Sequence, residues 1–305
     1  MIVLVGSAEL FTSTVDKPSR RHWAKLGLRI ARLLMCQPEK TSDLVFQSYD
    51  RIAAGYDQAW TDHMRDLSLS LADRLAVPQG AECIDLACGT GFLTAELARR
   101  SSRQAIGVDA SSGMLAAARR HQGRCQFVHA DAMAYLRARP ARSADVITCG
   151  WALGYTRPLA VIRQIVRVLR PGGRVGIIDN SLFSLAEVLW AAMLTFAERP
   201  EALRHVIKVR FLPSSHALAA MMHACGLSVR WRSGGSKTYW VPDGQSAIDR
   251  LTATGAAAGF EFATDDENRQ AVFDRFAEII EQRHRGRRGV AVTHRYLAAI
   301  GEKPC

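Results

Sequence analysis

The sequence of 305 residues has few of the features that mark a specialised class of protein. It has no run of 18 apolar residues, so we expect no membrane-spanning helix. It has no internal repeat and no low-complexity tract. The opening MIVLVGSAELF is too short, and lacks the leading charge, to predict a signal peptide. The length and the 48% apolar content favour one elaborated domain with a full core and added lid segments.

Cysteine is scarce and irregularly placed. The seven cysteines are odd in number and scattered, and Cys83, Cys125 and Cys149 lie in predicted strands as small buried hydrophobic residues. This usage is typical of a reducing cytoplasm, so we expect a cytoplasmic protein. His216, His223 and Cys225 fall near one face of a predicted helix, but they lack the carboxylate companion or short ligand pair of a metal site, so no metal is predicted.

The charge is strongly basic, with a formal net charge of +11. Arginines are spread along every segment and no RNA-binding module precedes or follows the centre of the chain, so we expect no nucleic-acid partner. An anionic small molecule or an acidic carrier protein fits the basic surplus at least as well.

The strongest local signal that is present lies in residues 83–92, CIDLACGTGF. A short apolar strand ends at Leu86, and FLTAELARR restarts at helical spacing. Gly89 and Gly91 allow the backbone between them to turn tightly and to approach a ligand. This strand, loop and helix predict a cradle for a nucleoside cofactor.

The residues beside the glycines decide which cofactor is expected. Dinucleotide sites use a third glycine and hold a pyrophosphate at the helix N-terminus, but here the third position is Thr94. Asp85 precedes the loop, and its charge suits an ammonium group better than a pyrophosphate. S-adenosylmethionine carries that ammonium group and no phosphate.

Two further acids follow at the ends of predicted strands. Asp109 ends AIGVD, where a carboxylate can accept hydrogen bonds from both ribose hydroxyls. Asp131 follows CQFVH and is placed to reach an adenine amino group, and Met114 between them can lie on the adenine face. Each residue alone also fits a strand end, a helix cap or the core, whereas the ordered set favours a cofactor site.

This ordered set resembles the class I S-adenosylmethionine-dependent methyltransferases over residues 45–180. ADVITCGWALGY matches the fourth strand and VLRPGGRVGIID the fifth, while Ala87 stands where the family usually has its first glycine. The resemblance implies S-adenosyl-L-methionine as cofactor and an α/β, Rossmann-like, doubly wound sheet of seven strands, the last antiparallel, with helical lid insertions. The implied cofactor contacts are Tyr56, Asp85, Ala87, Cys88, Gly89, Gly91, Asp109, Ala110, Met114, Asp131, Ala132 and Cys149.

The segment FQSYDRIAAGYDQAW resembles the N-terminal helix of quinone-biosynthesis C-methyltransferases and of malonyl-carrier O-methyltransferases. That resemblance implies that Tyr56, with Tyr49 behind it, closes over the cofactor, although Tyr49 fits plain helix packing equally well. Trp151 and Tyr155 follow the fourth strand, where acceptors usually meet the methyl group, or pack there. His63 is the one candidate for a catalytic base.

Residues 181–212 are predicted to be helical, with Leu185, Leu189 and Phe196 along one face and Trp190 beside it. This insertion is interpreted either as a lid over a substrate pocket, with Trp190 contacting the substrate, or as a helix packed on the sheet. The place in the fold supports the lid, because ligands bind above the strand ends of open α/β sheets.

The N-terminal RRHWAKLGLRIARLLM predicts an amphipathic basic helix. Trp23, Leu26, Ile30, Leu33 and Leu34 fall near one face, with arginines and a lysine elsewhere. Residues 19–35 therefore suit an anionic membrane surface or an acidic carrier protein, or else serve as a lid or as the helix of a homodimer.

Four segments follow from these patterns: a basic helical extension over 1–44, the cofactor-binding core over 45–180, a helical lid and the next helix over 181–225, and closing strands with a helical insertion over 226–305. The expected function is a methyltransferase acting on oxygen or carbon of a small, mainly apolar metabolite of natural-product, quinone or carrier-bound acyl type. The alternatives are a cofactor-binding protein with cyclase-like chemistry and an RNA methyltransferase.

Overall fold

The computed structural model describes residues 18–37, 40–255 and 258–305. The opening apolar segment, for which no signal peptide is predicted, lies outside the described residues. The described chain forms two compact units. The sheet unit holds Tyr49–Ser184, Val209–Lys237 and His294–Cys305, and the helical unit holds the described residues up to Ser48, Leu185–Lys208 and Thr238–Thr293.

Eight strands occur in the described residues: β1 Cys83–Leu86, β2 Ala105–Asp109, β3 Cys125–His129, β4 Ala144–Gly150, β5 Leu169–Asn180, β6 Ser228–Val241, β7 Arg285–Gly286 and β8 Gly289–Glu302. Seven of them form one sheet in the order β3-β2-β1-β4-β5-β8-β6, and the two-residue β7 pairs with β8 beside it. Strands β1 to β5 are parallel, and β8 runs antiparallel to β5. The predicted doubly wound sheet of seven strands with an antiparallel closing strand is confirmed.

The helices are α1 Arg20–Cys36, α2 Thr41–Ile52, α3 Asp62–Leu75, α4 Phe92–Ser101, α5 Ser112–Ala118, α6 Ala132–Ala138, α7 Pro158–Val168, α8 Ala186–Glu198, α9 Ser215–Ala224, α10 Gly244–Ala253 and α11 Arg269–His284. A π-helical turn, Asp57–Thr61, leads into α3. Each of these described helices is too short or too polar to span a membrane.

Both faces of the sheet are covered, which is why its parallel strands read as nearly continuous apolar runs. One layer packs Leu71 and Leu75 of α3 and Leu97 of α4 against the face that carries Val146. The other packs residues of α6, α7 and α9 against the face that carries Ile147. Neighbouring residues of one strand therefore pack into the cores on opposite faces of the sheet. The helices cover the faces but not the carboxyl ends of β1, β2 and β4, where a site can form.

The prediction of helix across residues 181–212 is partly wrong. Helix α8 ends at Glu198, a short turn follows at Pro200–Ala202, and the chain is then extended. Proline cannot continue the helix, and the β-branched residues that follow favour extended backbone. The extended segment is held by bonds that a helix would not make, such as Val206 N–H to Gln37 Oε1 at 2.7 Å.

The predicted face of α8 is also only partly correct. Leu185, Ala192 and Phe196 are buried, but Leu189 points outward. The buried side of α8 includes Val188 and packs with α10 and α11 in the core of the helical unit. The helix predicted over residues 19–35 is present as α1, Arg20–Cys36, in which Leu26 is fully buried.

Candidate cofactor and acceptor site

A cleft opens in the sheet unit at the carboxyl ends of β1 and β4. Its lining combines the loop after β1 with the π-helical turn, α3, the start of α4 and the end of β4. The lining residues are Tyr56, Trp60, Thr61, Met64, Ser68, Asp85, Ala87, Cys88, Gly89, Thr90, Phe92, Leu93, Gly150 and Trp151.

The loop between β1 and α4 is left-handed at three positions. Ala87, Gly89 and Gly91 have φ angles of 52°, 56° and 83°. A side chain costs roughly 1 to 2 kcal/mol in this conformation, which explains why glycine is usual at the first position and shows that Ala87 is strained. At Gly91 a side chain would also collide with the ring of Phe127, since an added Cβ would lie 2.9 Å from Cζ.

Asp85 is the buried acid of this loop. Its Oδ2 accepts from Thr94 Oγ1 at 2.8 Å and its Oδ1 from Thr148 Oγ1 at 2.7 Å. Burial raises the pKa of Asp85 to about 6, although these two hydrogen bonds oppose the shift. Within the described residues no basic side chain pairs with it. A cationic ligand would supply the missing charge and favour the ionised form.

Asp109 is tied to the same loop by backbone donors. Its Oδ2 accepts from Gly89 N–H at 2.7 Å and its Oδ1 from Ser111 N–H at 2.8 Å. Burial raises the pKa of Asp109 against these two bonds. Because each carboxylate oxygen has a second lone pair, both oxygens can still accept from a diol. Asp131 caps α6 by accepting from Ala134 N–H at 2.9 Å.

Tyrosines cover one side of the site. Tyr56 lines the cleft, and the ring of Tyr49 meets it edge to face with centroids 6.0 Å apart. Tyr49 also meets Tyr155 edge to face at 6.3 Å. Burial raises the pKa of both Tyr49 and Tyr56 well above the usual value, so both phenols remain protonated.

Two tryptophans, Trp60 and Trp151, form an aromatic wall of the cleft. Trp151 follows β4 with a φ of 61°, a conformation that a bulky residue rarely adopts without constraint. Its N–H donates to the Ile178 carbonyl at 2.7 Å and its Nε1 donates to Ser68 Oγ at 3.0 Å. The ring of Trp60 meets it edge to face at 5.3 Å. The surrounding bonds thus hold Trp151 at the cleft despite the backbone strain.

Other predicted residues lie outside the cleft lining, and their roles stay predictions. Tyr155 packs on Phe211 at 5.4 Å, and Cys149 is buried in the core. His63 lies on α3 with its ring 6.0 Å from that of His294. Trp190 belongs to the helical unit, where it stacks on Trp23. The remaining ones are Gly91, Asp109, Ala110, Met114, Asp131 and Ala132.

Sequence reasoning named Tyr56 but missed Trp60, Met64 and Ser68 on the π-helical turn and α3. All four residues line the cleft and are four residues apart. That spacing marks one face of a helix, so the signal was present in the sequence. The same segment supplies Asp57, which accepts from Thr90 Oγ1 of the glycine loop at 2.6 Å.

Asp57 anchors this segment through charge. It also accepts from Thr61 Oγ1 at 2.7 Å and pairs with Arg120. Burial raises its pKa, but the bonds from Thr90, Thr61 and Arg120 outweigh burial and lower it. Asp57 is therefore ionised and neutralised by its own partner, unlike Asp85. The contact with Thr90 links the aromatic wall to the glycine loop.

Asp179 is a further buried acid that the sequence patterns do not single out. It lies near the end of β5 and its Oδ2 accepts from Gly154 N–H at 2.7 Å. Burial raises its pKa to about 7, against the hydrogen bonds from Gly154 and Asn180. It is not part of the cleft lining, so it supports the backbone that follows β4.

These residues fit S-adenosylmethionine. Asp85 offers an uncompensated carboxylate for the ammonium group. Asp109 lies outside the cleft lining but bonds to Gly89 of the loop and retains lone pairs that suit ribose hydroxyls. The left-handed loop lets backbone approach the ligand, and Trp60 and Trp151 offer aromatic rings for the sulfonium charge. The chemistry of the site therefore suits S-adenosyl-L-methionine.

Comparisons with known proteins agree. Residues 83–173 match the family model described as a methyltransferase domain. A 2-phytyl-1,4-naphtoquinone methyltransferase of Thermosynechococcus vestitus is 34% identical over 149 residues, 47% of this chain and 62% of that relative, so the chain spans less than two thirds of it. A demethylmenaquinone methyltransferase of Mycolicibacterium gilvum is 32% identical over 60% of this chain and 81% of its own length.

Among solved structures, the YcgJ protein of Bacillus subtilis shares the fold, with a TM-score of 0.53 and 18% identity over 79% of this chain and 99% of that one. The fold, the glycine loop and a relative of 32% identity that is covered over 81% of its length lead to one assignment. The chain belongs to the class I S-adenosylmethionine-dependent methyltransferases.

Proposed function

We propose that the protein transfers the methyl group of S-adenosylmethionine to a small, mainly apolar metabolite, and that this acceptor is a hydroxylated aromatic ring of the quinol type. The observation that carries the proposal is the aromatic wall of the cleft, where Trp60, Phe92 and Trp151 lie beside the cofactor loop. Flat apolar walls suit a planar ring. Two relatives are named for a phytyl naphthoquinone and for demethylmenaquinone, which supports the same class.

The bound cofactor supplies a methyl carbon on a sulfonium, and the sulfur keeps the electron pair of the S–CH3 bond as the acceptor bonds to that carbon. The chain itself contributes alignment and exclusion of water. Asp85 holds the ammonium end, while Trp60 and Trp151 attract the sulfonium charge by about 0.5 to 2 kcal/mol each. For transfer to a quinol oxygen, the hydroxyl gives its proton to solvent before the acceptor is enclosed. The phenolate oxygen then forms the O–CH3 bond as the S–CH3 bond breaks, so the step needs no dedicated base.

The direct test is methyl transfer from tritium-labelled S-adenosylmethionine to three kinds of acceptor. These are a reduced naphthoquinol with an alkyl chain, the same quinol without the chain, and a malonyl carrier thioester. We expect a methylated product from the alkylated quinol, with lower kcat/KM when the chain is removed. Trp151→Leu should lower kcat/KM for the quinol about tenfold, because a ring contact is lost.

Trp231→Leu is the matched control, because this tryptophan lies in the sheet unit under the Arg74 guanidinium and does not line the cleft. It should leave kcat/KM unchanged. Binding of S-adenosylhomocysteine without any labelled product from the three acceptors would contradict methyl transfer to this class. A product from the malonyl thioester alone would reassign the acceptor to the carrier-bound type.

A further inference from the structure

The outward side of α8 is apolar. Its four exposed positions are Ala186, Leu189, Trp190 and Met193, which share one helical face. Leu189 is 52% exposed and Trp190 is 48% exposed. A surface helix normally turns polar side chains outward, and large exposed apolar side chains in one patch mark a contact surface. The opposite side of α8 is occupied by the core of the helical unit, so this face is available to a partner.

Helix α1 packs against α8, and its own exposed side is basic. The ring of Trp23 stacks on that of Trp190, with centroids 5.7 Å apart and planes 17° from parallel, so the two helices meet. No acidic residue occurs in α1. Its exposed residues include Arg20, Arg21 and Lys25, and none of these forms an ion pair with another described residue.

One stripe of α1 mixes basic and apolar side chains. Arg21, Lys25, Leu28, Arg32 and Met35 follow one another at helical spacing and are all exposed. Leu28 is 74% exposed and Met35 is 79% exposed, although both are apolar. Long basic side chains can reach outward to anionic groups while their apolar neighbours enter a hydrocarbon layer. The stripe therefore offers charge and apolar contact to the same partner.

We propose that the docking surface, formed by the exposed sides of α1 and α8, binds an anionic lipid bilayer. A bilayer presents negative charge above an apolar layer, which matches unpaired arginines and lysine beside exposed Leu, Met and Trp. Tryptophan is favoured at that boundary because its ring is apolar and its N–H is polar. This inference goes beyond methyl transfer and does not depend on which acceptor the cleft takes.

The test is sedimentation of the full chain with phosphatidylcholine vesicles that contain or lack phosphatidylglycerol. Binding is expected only with the anionic lipid and should weaken as sodium chloride is raised. The triple variant Arg21→Gln, Lys25→Gln, Arg32→Gln should bind roughly 100-fold more weakly, at about fivefold for each lost charge. The double variant Leu189→Gln, Met193→Gln should lose about tenfold at any salt concentration, because it removes apolar contact.

The charge control is Arg119→Gln, Arg124→Gln, Arg137→Gln, which removes three exposed arginines from the sheet unit. It should keep vesicle binding, and all variants should keep thermal stabilisation by S-adenosylhomocysteine, which shows that they fold. Equal loss in this control, or no binding of the natural chain to anionic vesicles, overturns the proposal. Two further results would overturn the proposal if vesicles are not bound. One is a dimer that Leu189→Gln, Met193→Gln abolishes, and the other is saturable binding to an acidic carrier protein.

Discussion

The sheet unit buries aspartates, whereas the helical unit buries an arginine, and the two treat their buried charge differently. In the described chain, Asp85 accepts hydrogen bonds from the Thr94 and Thr148 hydroxyls and Asp179 accepts them from backbone N–H groups, and all of these donors are neutral. Arg275 instead donates from Nε and Nη2 to the two carboxylate oxygens of Glu198, at 2.8 and 2.9 Å. It also donates to Glu278 at 2.8 Å.

This difference separates a binding group from a structural one. The Arg275 charge is neutralised within its own unit, so it can only stabilise the local packing. The Asp85 charge is left without a cation, and its raised pKa records the cost of burial. A ligand that carries an ammonium group offsets that cost, so the buried acid favours a cationic ligand over an anionic one.

The largest expected effect comes from removing the buried Arg275, whose charge is neutralised by Glu198. Arg275→Met should lower the free energy of unfolding by about 3 to 5 kcal/mol, because Glu198 is left largely buried without its partner. The double variant Arg275→Met, Glu198→Leu should recover part of this loss. Denaturant unfolding measures both. Arg99→Met is the control and should cost less than about 1 kcal/mol, because Arg99 is exposed and its partner Glu96 keeps a second ion pair with Arg100. An equal cost for the two pairs would refute the structural role.

A smaller effect concerns the pH dependence of the uncompensated acid Asp179. Its folded pKa of about 7 lies above the unfolded value near 4, so the folded state binds the proton more tightly. The resulting stabilisation is complete below about pH 4 and is lost as the pH rises through about 7, on the order of 4 kcal/mol in all. Asp179→Asn cannot titrate, so its stability relative to the natural protein should rise over this window. A constant difference between pH 5 and pH 8 would show that the carboxyl is already ionised.

The smallest expected effect is on the affinity of Asp85 variants for the cofactor. Asp85→Asn removes the charge but keeps a group that can bond to Thr94 and Thr148, so affinity for S-adenosylmethionine should fall by about 1.5 to 3 kcal/mol. Affinity for 5′-methylthioadenosine, which lacks the amino-acid end, should hardly change. Calorimetric titration of both ligands gives the result. If both affinities fell together, Asp85 would serve to shape the loop, and the ammonium contact would have to be abandoned.

Local chemistry made the strand, loop and helix around Asp85 predictable. The two glycines restrict the backbone conformation of the loop, and the acid before them restricts the charge of the ligand. This motif could therefore be predicted from the sequence alone. The conformation of Ala87 was not readable, because alanine rarely adopts a positive φ and nothing in its neighbours signals one. The only sign in the sequence is that Ala87 stands where the family usually has a glycine.

Residues brought together from distant positions were harder to predict. Thr148 donates to Asp85 from 63 residues away, and no spacing rule connects the two. Trp60 and Met64 had a readable helical spacing, but whether that face turns to the cleft depends on how α3 packs on the sheet. The outward direction of Leu189 could not be read either, because an apolar residue on an amphipathic helix is expected to face the core.

The sequence alone determined the order of elements, the cofactor loop and the choice of an ammonium-bearing ligand, since these depend on residues within a few positions of one another. Tertiary structure decided which hydroxyls hold Asp85, which aromatic side chains form the wall of the cleft and which side of α8 remains exposed. The physical reason is that burial and pairing belong to the folded surroundings of a side chain, whereas turns and periodicity belong to the backbone and its nearest neighbours.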